Sequence, residues 1–242
     1  MPDDIVDQRK IATELSQRAI DRVITIGEKA IKEYWARYKN RDVSTYADYL
    51  VRKGVQANAV RNFIYDTRSA SLYDIYVPTT IRDDQSTGED LLRRLCLPEE
   101  NPTKRQTRAL AIVGNAGTGK SLFLKHAFFK VQEIDSNRIP VLIEIRTFNR
   151  LVLADLETRI YEDFAATGTA VMREQIVNGL QSGLFVILLD GLDELKGAIQ
   201  KHYEAEFIGF LRRFPLCPVL VSSRPIQGSS PGLILKYATF HR

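Results

Sequence analysis

Gly114-Asn-Ala-Gly-Thr-Gly-Lys-Ser121 is an eight-residue run with glycines at 114, 117 and 119 and a Lys-Ser pair at its end. Ala109-Leu-Ala-Ile-Val113 precedes it and reads as a short buried strand. Leu122-Phe-Leu-Lys-His-Ala-Phe-Phe129 follows and reads as the opening turns of a helix. Strand, glycine-rich loop and helix in that order give the pattern its meaning as a phosphate-binding loop. Gly114, Gly117 and Gly119 permit tight, partly left-handed turns. Successive N–H groups then converge on one anion, and the positive end of the following helix adds to the attraction. The loop Gly114, Asn115, Ala116, Gly117, Thr118, Gly119, Lys120 and Ser121, with Leu122 behind it, is the expected nucleotide cradle. Lys120 is expected at the β- and γ-phosphates, and the Ser121 hydroxyl on Mg2+.

Working outward, the downstream sequence alternates strand and helix. Strands are expected at 109–113, 140–145, 184–189 and 218–222, with a fifth at 235–240, and helices at 119–133, 154–166, 170–181 and 199–214. The strands are continuous apolar runs, the mark of a parallel sheet covered on both faces. The fold class expected is therefore α/β, a three-layer P-loop NTPase, preceded by a smaller helical region. Upstream, a long amphipathic helix is expected over 5–39 and a second helical stretch over 44–66, broken near Gly54. Tyr73-Asp-Ile-Tyr-Val-Pro78 reads as extended, 82–88 as a polar loop, 89–95 as a short helix and 98–102 as a linker. The domain division expected is 1–100 and 105–242.

A bound triphosphate needs a metal ligand and a group that activates water before it can be hydrolysed. The third strand ends at Asp190, followed by Gly191-Leu192-Asp193-Glu194. An acid at the carboxyl end of a buried strand lies in the crevice where such sheets bind ligands. Asp190 is the expected Mg2+ ligand, with Asp193 and Glu194 polarising the attacking water. The fourth strand ends in Ser222-Ser-Arg-Pro225, which sets the Arg224 cation at the γ-phosphate, where charge develops.

Together the loop 114–121, the run Leu188-Leu-Asp-Gly-Leu-Asp-Glu194 and Val221-Ser-Ser-Arg-Pro225 resemble the NACHT family of NTPases, within the STAND class of signalling ATPases. The small Gly191 after Asp190, with acids at 193 and 194, is the most specific part of that likeness, and Arg224 matches the family's sensor-1 arginine. The resemblance implies ATP and ADP as ligands, an ADP-bound closed state and an ATP-bound open state, and homo-oligomerisation through the NTPase core. It also implies an effector or sensor protein as partner and a role in innate immunity or defence against phage. Family members continue into a lid and a winged helix. A chain of 242 residues therefore reads as an N-terminal fragment or a truncated form, for which slow hydrolysis is expected.

Composition narrows the field. Thirty-four basic against thirty acidic residues leave a net charge of +4, too mild to argue for nucleic acid. Cys96 and Cys217 match no metal spacing. The acidic start Met-Pro-Asp-Asp lacks the form of a signal peptide, and no apolar run reaches membrane length, so a cytoplasmic chain is expected. A GTPase is disfavoured, because Asp193 stands where Asp-x-x-Gly needs glycine and no Asn-Lys-x-Asp is present. A small-molecule kinase would need an Arg-rich lid. A DNA-associated AAA+ ATPase, such as a loader or transposition helper, and a non-hydrolysing nucleotide-binding scaffold remain open on the sequence.

Overall fold

The computed structural model describes residues 45–61, 69–78, 87–97, 109–135, 137–225 and 236–239. The expected helix over 5–39, most of the 82–88 loop and the 98–102 linker lie outside them. In chain order the elements are α1 (Ala47–Asn58), β1 (Ala59–Arg61), β2 (Ser69–Ser71), α2 (Leu72–Ile75), α3 (Gly88–Cys96), β3 (Ala109–Val113) and α4 (Lys120–Ile134). There follow β4 (Ile139–Glu144), α5 (Leu156–Ala166), α6 (Arg173–Ser182), β5 (Phe185–Asp190), α7 (Gly197–Arg213), β6 (Val219–Ser223) and β7 (Lys236–Thr239). Two 3-10 turns, Ile145–Arg150 and Leu192–Glu194, extend the ends of β4 and β5.

The sheet is parallel, in the order β4-β5-β6-β3-β7. Val186 to Leu189 and Val219 to Val221 are at most 2% exposed, as expected of strands covered on both faces. From β3 the chain crosses leftward to the β4 edge through α4. It then returns rightward, through α5 and α6 to β5 and through α7 to β6. Right-handed crossovers therefore put α4 on one face and α5, α6 and α7 on the other. The phosphate-binding loop leaves the carboxyl end of β3, and Asp190 and Ser223 end the two strands beside it.

One apolar core unites these layers with the described part of the first hundred residues. Tyr49 and Leu50 of α1, Leu92 of α3 and Phe185 of β5 are all fully buried within it. Tyr49 also closes the outer edge of the sheet. Its hydroxyl accepts the outward N–H of Leu142 in β4 at 3.2 Å and donates to Asp163 at 2.9 Å, while Lys53 pairs with the other Asp163 oxygen at 2.6 Å.

Two local expectations fail. The helix over 44–66 is not broken at Gly54. It runs through that buried glycine, whose cost of about 1 kcal/mol in a helix is outweighed by packing, and ends at Asn58. The residues beyond pair as β1 with β2, antiparallel. Tyr73–Pro78 is not extended throughout, because Leu72–Ile75 forms a helical turn. Asp74 accepts the N–H of Ser71 at 3.1 Å and Asn58 accepts that of Leu72 at 3.3 Å, so side chains satisfy the turn's free donors.

Candidate functional site

Three elements bring the site together. The loop starts as a continuation of the ladder, the Gly114 N–H donating to Ser223 O at 3.2 Å. Gly117 and Gly119 take φ of 77° and 91°. A Cβ at either would meet nothing within 4 Å, so backbone conformation alone calls for glycine there. Gly114 is buried and is not among the glycines at positive φ, so the left-handed part of the loop falls at Gly117 and Gly119. Thr118 turns inward, its hydroxyl donating to Asn115 O at 2.9 Å. Asn115 and Ala116 are exposed on the loop, and Leu122 packs on the core behind it.

The N-terminus of α4 is free for a ligand. Gly119 caps it in the left-handed region, no side chain caps it, and no acid occupies its first turn. Among the described residues, no carbonyl accepts the N–H groups of Gly117, Gly119, Lys120, Ser121 or Leu122. Unpaired amides at a helix start form an anion site. The Lys120 ammonium is folded back onto the loop, donating to Gly114 O at 2.6 Å and Asn115 O at 2.8 Å. Burial holds it below the usual lysine range, and Arg224 adds to the depression, against the pull of Asp193 and Asp190.

Asp190 faces the loop across 69 residues of sequence. The Ser121 hydroxyl donates to Asp190 Oδ1 at 3.0 Å, and that oxygen also accepts from Ser222 at 2.5 Å. Ser222 accepts the Gly191 N–H at 2.9 Å, so one buried hydroxyl orients the carboxylate and anchors the turn after it. Gly191 holds φ of 85°, and a Cβ there would meet Glu194 Oε1 at 3.0 Å. Ser121 and Asp190 are hard oxygen donors of the kind that suits Mg2+, which keeps waters and phosphate oxygens as its remaining ligands. No group of three His, Cys, Asp or Glu residues able to hold a metal occurs among the described residues. Such a sparse donor set fits a metal brought in with phosphate.

Asp193 and Arg224 are each other's partners. The Arg224 N–H donates to Asp193 Oδ1 at 2.9 Å and its guanidinium to Oδ2 at 3.1 Å. The Asp193 carboxylate is thus engaged through both oxygens, whereas Glu194 is exposed and makes no side-chain hydrogen bond among the described residues. Sequence reasoning assigned no role to Ser222, although a serine closing a continuous apolar strand was a usable signal.

The NACHT domain family matches residues 108–237, more than half of the chain. This chain belongs to the NACHT family. The match runs from the start of β3 into β7 and takes in the loop, the acidic turn and Arg224. Membership makes this a nucleotide-binding domain of P-loop NTPase type, with the α/β parallel sheet expected.

Three solved structures overlap the NACHT fold in part. The structure of C. elegans PCH-2 matches at 17% identity and TM-score 0.38, over 62% of this chain and 39% of that one. The E. coli MS115-1 HORMA:CdnC:Trip13 complex matches at 14% and 0.40, over 64% and 60%. AMPPCP-bound DnaA from Aquifex aeolicus matches at 18% and 0.37, over 62% and 44%. The chain spans less than two-thirds of the length of each, and likeness at this level says nothing of function. No curated protein matches the chain. Among the described residues, no helix is long and apolar enough to cross a membrane.

Proposed function

We infer that this NACHT domain is an ATP-driven signalling switch. It binds ATP with Mg2+, hydrolyses it slowly, and assembles with copies of itself through the NTPase core in response to the nucleotide held. The pairing of Ser121 with Asp190 beneath an uncapped helix start supports this reading best. It joins an anion site to a hard-oxygen metal site, which is what a metal-bound triphosphate requires.

The residues divide the work. The free amides from Gly117 to Leu122 receive the phosphates, and Lys120 exchanges two loop carbonyls for phosphate oxygens. Ser121 and Asp190 would hold Mg2+, which when bound would neutralise charge on the phosphates. Ser222 keeps Asp190 aimed. Glu194, whose carboxylate is free, polarises the water that attacks the γ-phosphorus; the bond from that phosphorus to the β-phosphate oxygen breaks to release ADP, and the water's proton passes towards the carboxylate. Arg224 turns from Asp193 to the γ-phosphate when one is present, so the Asp193–Arg224 pair distinguishes ATP from ADP. On the family's pattern the output is an effector or sensor protein, in cytoplasmic innate immunity or antiphage defence. Residues 1–100 then act as a helical adaptor joined to the NTPase core, 105–242.

Nucleotide binding, hydrolysis and molecular mass test the reading, with Lys120→Ala and Asp190→Ala as controls. ATP affinity is expected to fall at least about tenfold in Lys120→Ala. Hydrolysis is expected to vanish in Asp190→Ala, and mass to rise with ATP only in the unaltered protein. Unaltered protein that binds no nucleotide would sink the reading. Mass that stays constant with ATP would remove assembly from it, and nucleotide-dependent retention on DNA would favour a DNA-associated ATPase instead.

A further inference from the structure

The acidic turn is held at three points. Ser222 holds the Gly191 N–H, and Arg224 holds the Asp193 carboxylate. The third holder comes from neither the phosphate-binding loop nor the neighbouring strand β6. It is Asn149, in the 3-10 turn that extends the edge strand β4.

The Asn149 side-chain amide reads both ends of one short stretch of main chain. Its Nδ2 donates to Glu194 O at 2.8 Å, and its Oδ1 accepts the N–H of Lys196 at 3.2 Å. One planar amide thus does what a neighbouring strand would do, bracketing Leu195, which is 4% exposed. Nδ2 also donates to Arg146 O at 3.3 Å within its own turn. The turn is anchored to the core, because Phe148 beside Asn149 is buried and its ring lies 4.7 Å from that of Tyr203 in α7. A side chain on such an element, bonded to the main chain of Glu194, fixes the backbone from which that carboxylate extends. No other side chain among the described residues bonds to the main chain of Glu194 or Lys196.

We propose that Asn149 is a positioning residue for hydrolysis. By fixing the main chain on either side of Leu195, it holds in place the backbone from which the Glu194 carboxylate reaches back beside Gly191. It touches neither nucleotide nor metal and acts through Glu194. This rests on the ATP-hydrolysing reading above. Catalytic geometry is steep in distance, so a turn free to shift by an ångström loses about a hundredfold in rate while ligand binding is spared.

The test uses the full chain and single-turnover hydrolysis of γ-labelled ATP, with ATP and ADP affinity and melting temperature measured alongside. Asn149→Ala is expected to lower the rate about 10- to 100-fold while both affinities stay within about threefold. Asn149→Asp keeps the acceptor for Lys196 and loses the donor to Glu194. It is expected to fall between, and it carries the test if the alanine variant does not fold. In a Glu194→Gln background the alanine change is expected to cost nothing further, because two residues acting through one group are not additive. A rate equal to that of the unaltered protein in both Asn149 variants, or full additivity with Glu194→Gln, overturns the role of Asn149 and leaves the ATPase reading standing. Unaltered protein that binds ATP without turnover overturns both.

Discussion

At the scale of single residues, the site is a set of side chains that satisfy one another until a ligand arrives. Lys120 sits on carbonyls of its own loop, and Arg224 sits on Asp193. Both partnerships are ones a phosphate can replace. Arg224 is 60% exposed, so releasing Asp193 costs it little. Arg224→Ala is therefore expected to weaken ATP about tenfold or more, the worth of one charge-assisted hydrogen bond, and to leave ADP within about twofold. Calorimetric titration with the two nucleotides checks this, and an equal loss for both would show that Arg224 does not report the γ-phosphate. The residues that carry charge were legible in the sequence, because their types and spacing follow from phosphate chemistry. Ser222 left only the weak signal of a hydroxyl in an apolar strand, and Asn149 left none, since a neutral side chain that bonds a distant main-chain group leaves no periodic trace. Nor could the sequence tell that Asp193 would be occupied and Glu194 free, which depends on where the end of β6 comes to lie.

At the scale of elements, the sheet was readable nearly residue for residue. The expected strands 109–113, 140–145, 184–189 and 218–222 lie within one residue of those observed. Each is an apolar run long enough for a strand and too short for a helix, bounded by polar residues, glycine or proline. The failures share a cause. At Gly54 packing overrode a local propensity, and at Leu72 side-chain caps from Asp74 and Asn58 made a turn that hydrophobic pattern cannot signal. The same dependence on distant partners governs α1, whose Tyr49 hydroxyl links β4 to Asp163. Tyr49→Phe leaves the Leu142 N–H without its acceptor in a buried place and is expected to cost about 1–3 kcal/mol. Chemical denaturation measures it, and a loss within about 0.5 kcal/mol, as for an ordinary surface change, would mean that the edge does not need the hydroxyl.

At the scale of the whole molecule, the clearest titrating group is away from the site. His126 lies on α4, 8% exposed, with the Tyr76 ring stacked 4.3 Å away and the Tyr73 hydroxyl 3.3 Å from Nδ1. Burial lowers its pKa to about 4, with Lys130 adding to the depression and Glu89 and Glu133 opposing it. The unfolded chain takes up this proton near pH 6.5, while the folded protein refuses it until about pH 4. Stability from this group is therefore complete above about pH 6.5 and declines as pH falls towards 4. Melting temperatures followed downward from neutral pH are expected to drop more steeply in the unaltered protein than in His126→Gln, and parallel curves would dismiss the effect. The neutral imidazole also couples α2 to the helix that begins at the phosphates, so the described part of the first hundred residues grips the nucleotide-binding core through α2 and α1, and through α3, whose Gly88 lies against the Phe123 ring.

The second of those grips has a consequence for how the chain can be divided. A parallel sheet whose outermost strand is bare offers its unpaired main chain to any passing strand, and identical copies are the nearest supply. A shortened chain that began at residue 105 would keep every group of the nucleotide site and lose the helix that occupies this margin. It would bind its ligand and clump, and such clumping would be easy to mistake for nucleotide-driven assembly.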